Sequence, residues 1–283
     1  MMESGLTNWG DLLVFGVFLF FLGIGWTFGR CYSDFYKECD SKSRNEIMEA
    51  LFVRSTVEAA AILGFAGLVL LLGMLRREMD LPLEGSRWSI WFAWVPFLVY
   101  AVCRLAEDRW AGLWRRVSRL CLAGTFLCQF VALSAHMHRF PPGTDRAMYE
   151  PQCLLVLVAT GITITEVVVP LKRRMRWVRP GCTMVQGTWY VQIGFTLCVS
   201  GREWQLEDNV TMTVVFIFLW HCALSSIIIH FVRKTVRSAL CAEPYIQGDF
   251  ESCDEDFDVD NIYDDEQIFE TIGPSEDVEN PKT

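Results

Sequence analysis

Gln186–Phe195 reads QGTWYVQIGF, the connector Ser200–Asn209 reads SGREWQLEDN, and Val210–His221 reads VTMTVVFIFLWH. Two apolar segments of bilayer length flank a short polar loop, and Gln186, Gln192 and His221 stand where a membrane helix ordinarily carries leucine. An unpaired polar group in hydrocarbon is costly, so each of these side chains demands a partner on another helix. The stretch therefore predicts an all-α bundle in a membrane, with a polar interior.

The rest of the chain repeats the pattern. Runs of about 18 to 23 apolar residues recur, each long enough to cross a hydrocarbon core of ~30 Å at ~1.5 Å per residue. Seven are expected: Asp11 to Phe28, Val57 to Leu75, Trp88 to Leu105, Leu120 to about His138, Cys153 to Leu171, Cys182 to Val199 and Val210 to Val232. The first is read as a span and not a cleaved leader, because MMESGLTNWGD has no lysine or arginine ahead of it. Its Gly23, Gly25 and Gly29 would permit close helix approach. Pro96 in the third run is tolerable where a neighbouring helix satisfies the freed carbonyl. RFPPGTDRAMYEP, between the fourth and fifth runs, reads as a tight irregular loop.

Charge follows the same organisation. The net charge is -9, but 15 of the 34 acids lie from Cys241 to Thr283 with a single lysine, which leaves +5 for the remainder. The expected division is a transmembrane domain over residues 1–240 and an acidic tail over 241–283, disordered because its isolated apolar residues are too few to bury a core. Phe257, Ile262, Tyr263, Ile268 and Phe269 in that tail are candidates for a sorting or adaptor-binding segment. Leaving the tail lysine aside, alternating the runs across a bilayer puts 18 lysines and arginines on the side of the C-terminus and 6 on the other. The positive-inside rule then predicts an extracellular or luminal N-terminus and a cytoplasmic C-terminus. The expected partners are the lipid bilayer and a cytoplasmic adaptor on the tail, with no nucleic acid.

The residues that could carry chemistry are few. At ~1.5 Å per residue from the cytoplasmic end, Gln129, Gln192 and His221 fall at about 15 Å, while Glu166 and Gln186 fall at about 6 to 8 Å. Two layers are predicted, either as hydrogen-bonded struts or as a proton or ion path. For Glu166, Lys172 and Arg173 are the nearest cations in sequence. His136 and His138, with Asp145 in the following loop, form a candidate outer site. Positions i and i+2 do not share a helix face, so chelation there would require fraying, and a metal usually wants three or four ligands. No resident cofactor or metal is expected. The eleven cysteines contain no CxxC pair or zinc-finger spacing. No hydrolase, metalloprotease, P-loop or dinucleotide fingerprint occurs in a suitable context. The sequon Asn209-Val210-Thr211 abuts the last run, too close to the bilayer for glycosylation.

At HMHRFPPGTD, Glu166, QGTWYVQIGF and the Trp220-His221 pair, the chain resembles the transmembrane protein 45 family and its epididymal transmembrane relatives, whose shared domain is of unknown function. The resemblance covers most of residues 9 to 235. His136, His138, Asp145, Glu166, Gln186, Thr188, Trp189, Gln192 and His221 match family positions. The resemblance implies a seven-helix membrane protein without an established reaction. Two departures are visible: RAMYE replaces a second histidine pair after the loop aspartate, and Asn8 and Asp11 stand where a histidine often precedes the first span. The leading expectation is a non-enzymatic multi-pass protein acting through membrane partners or trafficking. The alternative is a metal-dependent hydrolase or proton or ion carrier using His136, His138, Asp145, Glu166 and His221. A seven-helix receptor is disfavoured by the lack of DRY-like or NPxxY-like signatures.

Overall fold

The computed structural model describes residues 9–36, 56–71, 88–107, 113–138, 144–169, 175–200 and 210–241. Among these it contains seven α-helices, one 3-10 turn and no strand. The helices are α1 (Trp9–Tyr36), α2 (Thr56–Leu71), α3 (Trp88–Glu107), α4 (Leu113–Met137), α5 (Thr144–Val168), α6 (Val178–Ser200) and α7 (Val210–Cys241), with the turn Met175–Trp177 leading into α6. They belong to a unit spanning Met1–Leu240. A second unit spans Cys241–Thr283, and the expected acidic tail lies outside the described residues apart from Cys241.

Four helices contain segments long and apolar enough to cross a membrane: Leu12–Asp34, Arg116–Met137, Arg146–Val168 and Met212–Ala239. Shorter apolar segments are Thr56–Leu71 in α2 and Trp94–Ala106 in α3. α6 is not among the four. It carries Thr183, Gln186, Thr188 and Gln192, and residues 182–187 are all buried, so this part of the helix faces protein.

Several helices outrun their apolar segments, because backbone hydrogen bonding continues after the side chains turn polar. α4 begins at Leu113, so WRRVSR is helical, and α7 continues through RKTVRSAL to Cys241. Long basic side chains can lay their stems on the bundle and keep their charges at its ends. TDRAMYEP, expected to be irregular, is the start of α5. Thr144 at its start is a residue type suited to capping, and Arg146 pairs with Glu150 at 3.1 Å one turn on. Pro151 follows inside the helix.

The centre of the bundle is aromatic. Phe15 meets Trp94 edge-on at 4.9 Å and Tyr190 at 5.2 Å, while Phe18 stacks on Phe65 at 5.3 Å and meets Phe97 edge-on at 5.4 Å. These offset and edge contacts are the favourable ring geometries, and they tie α1 to α2, α3 and α6. α1 and α6 also touch through glycine. A Cβ on Gly16 would lie 2.6 Å from the Gly187 carbonyl oxygen, and one on Gly23 would run into Met184. Gly23 thus meets the expectation of close approach, but Gly25 does not, since nothing lies within 4 Å of its added Cβ.

Candidate functional site

Glu166, near the C-terminal end of α5, is buried and bonded through both carboxylate oxygens. Arg30 of α1 donates to Oε1 at 3.0 Å and Arg179 of α6 to Oε2 at 2.7 Å. Arg119 of α4 donates to the Glu166 backbone oxygen at 3.2 Å. Four helices therefore converge on one residue. Lys172 and Arg173, the partners expected from sequence proximity, lie outside the described residues; among the described residues the carboxylate is engaged by Arg30 and Arg179. Placing the positive charges on two different helices makes the carboxylate a tie between them. Removing one partner of such a buried pair costs about 3–5 kcal/mol, because it leaves an uncompensated charge.

The node extends sideways. The Arg179 guanidinium lies 4.9 Å from the Trp26 ring centroid, a cation–π distance. The Trp26 indole donates to Glu58 Oε1 at 2.6 Å, and the Tyr100 hydroxyl donates to the same oxygen at 3.0 Å. This chain links α1, α2, α3, α5 and α6 at one end of the bundle. It also fixes direction: α1, α3 and α5 run towards the node, while α2, α4 and α6 start beside it. At the start of α6, Arg233 of α7 sits 5.8 Å from the Trp177 ring, so α7 too runs towards this end.

A second polar layer lies deeper. Gln129 of α4 donates to the Tyr190 hydroxyl of α6 at 3.1 Å. Gln152 of α5 is the other polar neighbour of that hydroxyl, but neither of its amide atoms completes a hydrogen bond of ordinary geometry. Both amide atoms of the fully buried Gln186, and Oε1 of Gln129, also lack a partner among the described residues. Gln192 bonds within its own helix, to Thr196 Oγ1 at 3.3 Å. The expected midplane group of Gln129, Gln192 and His221 is thus not joined by hydrogen bonds among its members. His221 instead sets its ring edge-on to Trp189 at 5.5 Å, and its Nδ1 is buried without a partner among the described residues. The Trp189 indole donates to the Met148 carbonyl at 2.8 Å. That carbonyl is one residue beyond Ala147, whose helical donor Pro151 removes.

The outer candidates lie at the end of α4 and the start of α5. His136 is half-buried with its ring edge-on to Tyr149 at 5.1 Å, and His138 is exposed at the end of α4. Asp145 falls in the first turn of α5, its side chain outside the described set. Among the described residues no three His, Cys, Asp or Glu side chains are grouped to hold a metal ion.

Sequence reasoning missed Arg30 and Arg179 because both look like loop charges at the ends of apolar runs. It missed Glu58 and Gln152 although each carried a signal: an acid in the first turn of an apolar segment, and an amide beside Pro151 at the entry to another.

No protein-family model matches the chain. Among the described residues the class is all-helical, with four helices whose length and apolar composition suit a membrane-embedded protein.

Proposed function

We propose that the chain is a non-enzymatic, seven-crossing membrane protein of the transmembrane protein 45 type that holds an acidic cytoplasmic tail for partners on a rigid platform. The observation that carries this reading is the engagement of both Glu166 oxygens by arginines of two other helices. A carboxylate held through both oxygens by guanidiniums of two other helices is fixed in one position and ties those helices together, which suits a strut. The alternating directions of the seven helices support seven crossings, with α2 and α3 as short spans and α6 buried over residues 182–187. The 18-to-6 division of basic residues supports a cytoplasmic C-terminus. The 14 net negative charges of residues 241–283 suit a basic partner surface.

The test combines topology and transport. A tag after Thr283 is expected to stain only in permeabilised cells, and one before Met1 in intact cells. Deleting Glu243 to Thr283 is expected to change the protein's location while leaving its thermal unfolding in detergent nearly unaltered. Reconstituted liposomes are expected to show no proton or cation flux above empty vesicles. A wild-type flux that Glu166→Gln abolishes in a folded protein overturns the platform reading in favour of a carrier.

A further inference from the structure

Trp189 marks a level at which three helices meet: its indole donates to the Met148 carbonyl of α5, and its ring lies edge-on to that of His221 of α7. One turn nearer the Glu166 node, the residues on the same helix faces are Gln152 on α5, Gln186 on α6 and Ser225 on α7. Each is 1% exposed or less. The amide atoms of both glutamines and the Ser225 hydroxyl have no hydrogen-bond partner among the described residues.

Thr160, Thr163 and Ser226 return their hydroxyls to the carbonyl one turn back, at 2.7 to 2.8 Å. Ser225 makes no such bond. Yet it is the most deeply buried described residue of α7, whose other buried positions, Val214, Val232 and Val236, are all valine. α7 is also the least buried of the four membrane-length helices, so what its inner face holds on to matters more than for the others. A buried amide or hydroxyl left unpaired pays its full desolvation penalty, and here three such groups share one level of three helices.

We propose that Gln152, Gln186 and Ser225 hold a small cluster of internal water that bridges α7 to α5 and α6. The three side chains are uncharged and present donors and acceptors together, which suits a neutral molecule that both donates and accepts; an ion would meet part of the set with the wrong polarity. A buried water makes roughly three hydrogen bonds to otherwise unsatisfied groups, and five orphan atoms are gathered at this level. Water-mediated bonds are nearly as favourable in enthalpy as direct ones, so the cluster serves as the polar attachment of α7 beside the Trp189 contact.

The test is radiolytic hydroxyl labelling of the full chain in nanodiscs made up in heavy-oxygen water. Radicals formed from a bound water attack the side chains beside it, and Trp189 is the reactive ring next to the cluster. Trp94 is the matched control: both tryptophans are 2% exposed, but Trp94 is walled by Phe15, Phe18 and Phe65. Trp189 is expected to take up severalfold more heavy oxygen than Trp94. Gln152→Leu combined with Gln186→Leu is expected to bring Trp189 down to the level of Trp94, and Ser225→Ala, the milder change, to bring it part of the way. Equal labelling of the two tryptophans in the wild-type protein would mean that the amides turn to one another in a dry core, and overturns the proposal. Strong labelling of Trp189 that neither set of substitutions lowers overturns it as well.

Discussion

Gly16 on α1 and Gly187 on α6 meet backbone to backbone: a Cβ on Gly16 would sit 2.6 Å from the Gly187 carbonyl oxygen, and one on Gly187 would collide with the Phe20 amide nitrogen. Helix association in a membrane depends on van der Waals packing and close approach, because lipid tails are as apolar as the side chains. Gly187→Ala therefore has to separate α1 from α6 and is expected to destabilise by about 1–3 kcal/mol, the range for overpacking. Gly25→Ala, which meets nothing within 4 Å, is expected to be neutral or to gain up to ~1 kcal/mol from helix propensity. Thermal unfolding of the two variants in one detergent compares them directly, and equal midpoints would contradict the packing.

Glu166→Gln is expected to cost about 3–5 kcal/mol, since it strands Arg30 and Arg179 at a buried site. Adding Arg30→Gln to that variant is expected to recover part of the loss. A double-mutant cycle on denaturant or thermal unfolding reads this coupling, and strictly additive losses would show that the pair does not interact.

The class of protein was legible in the sequence, and the pairing inside it was not. Apolar run length against polar gaps is a one-dimensional signal, so the helices could be placed directly. Glu166 stood out because a carboxylate near a membrane span is costly, yet its partner Arg30 lies 136 residues away, beyond any argument from sequence proximity. Depth failed for a different reason. Gln129, Gln192 and His221 share a depth estimate, but depth does not fix rotation about the helix axis. Gln192 is two residues from Tyr190, roughly 200° round the helix, and it is Tyr190 that faces Gln129. The glycines divided in the same way: Gly23 faces α6, while Gly25, two positions on, faces away from it.

The Gln129–Tyr190 bond should behave as one modest strut. Tyr190→Phe removes the acceptor of Gln129 Nε2 and is expected to cost about 1 kcal/mol, in line with interhelical hydrogen bonds in membranes. Gln129→Leu in that background is expected to cost no more, because the stranded amide is gone. Losses that simply add would place the Gln129 amide on another partner.

Cys103 on α3 and Cys121 on α4 are free thiols with sulfurs 3.4 Å apart. A disulfide requires ~2.05 Å, a shift that small side-chain rotations can supply. Mild oxidation in membranes is expected to link Cys103 to Cys121 and not to Cys128, which lies two helical turns further along α4. Mass spectrometry of the digested, non-reduced protein checks the link, and a Cys103–Cys128 product would require a different register between the two helices.

His221 distinguishes the sequence expectation from the structure. If it bridged Gln129 and Gln192, His221→Leu would strand two amides and cost ~1 to 2 kcal/mol, given the strength of interhelical hydrogen bonds in membranes. In the structure Gln129 is held by Tyr190 and Gln192 by Thr196, while His221 offers Trp189 an edge contact and leaves Nδ1 buried without a partner among the described residues. Leucine would lose the ring contact, about 0.5–1.5 kcal/mol, but would also relieve a buried polar atom whose burial costs about 1–3 kcal/mol. These effects oppose one another, so His221→Leu is expected to leave the unfolding midpoint unchanged or slightly raised. Trp189→Phe, which also strands the Met148 carbonyl contact, is expected to lower it. Unfolding in a single detergent with Trp189→Phe as the reference decides the matter, and a clear loss for His221→Leu would mean that the imidazole bridges the glutamines after all.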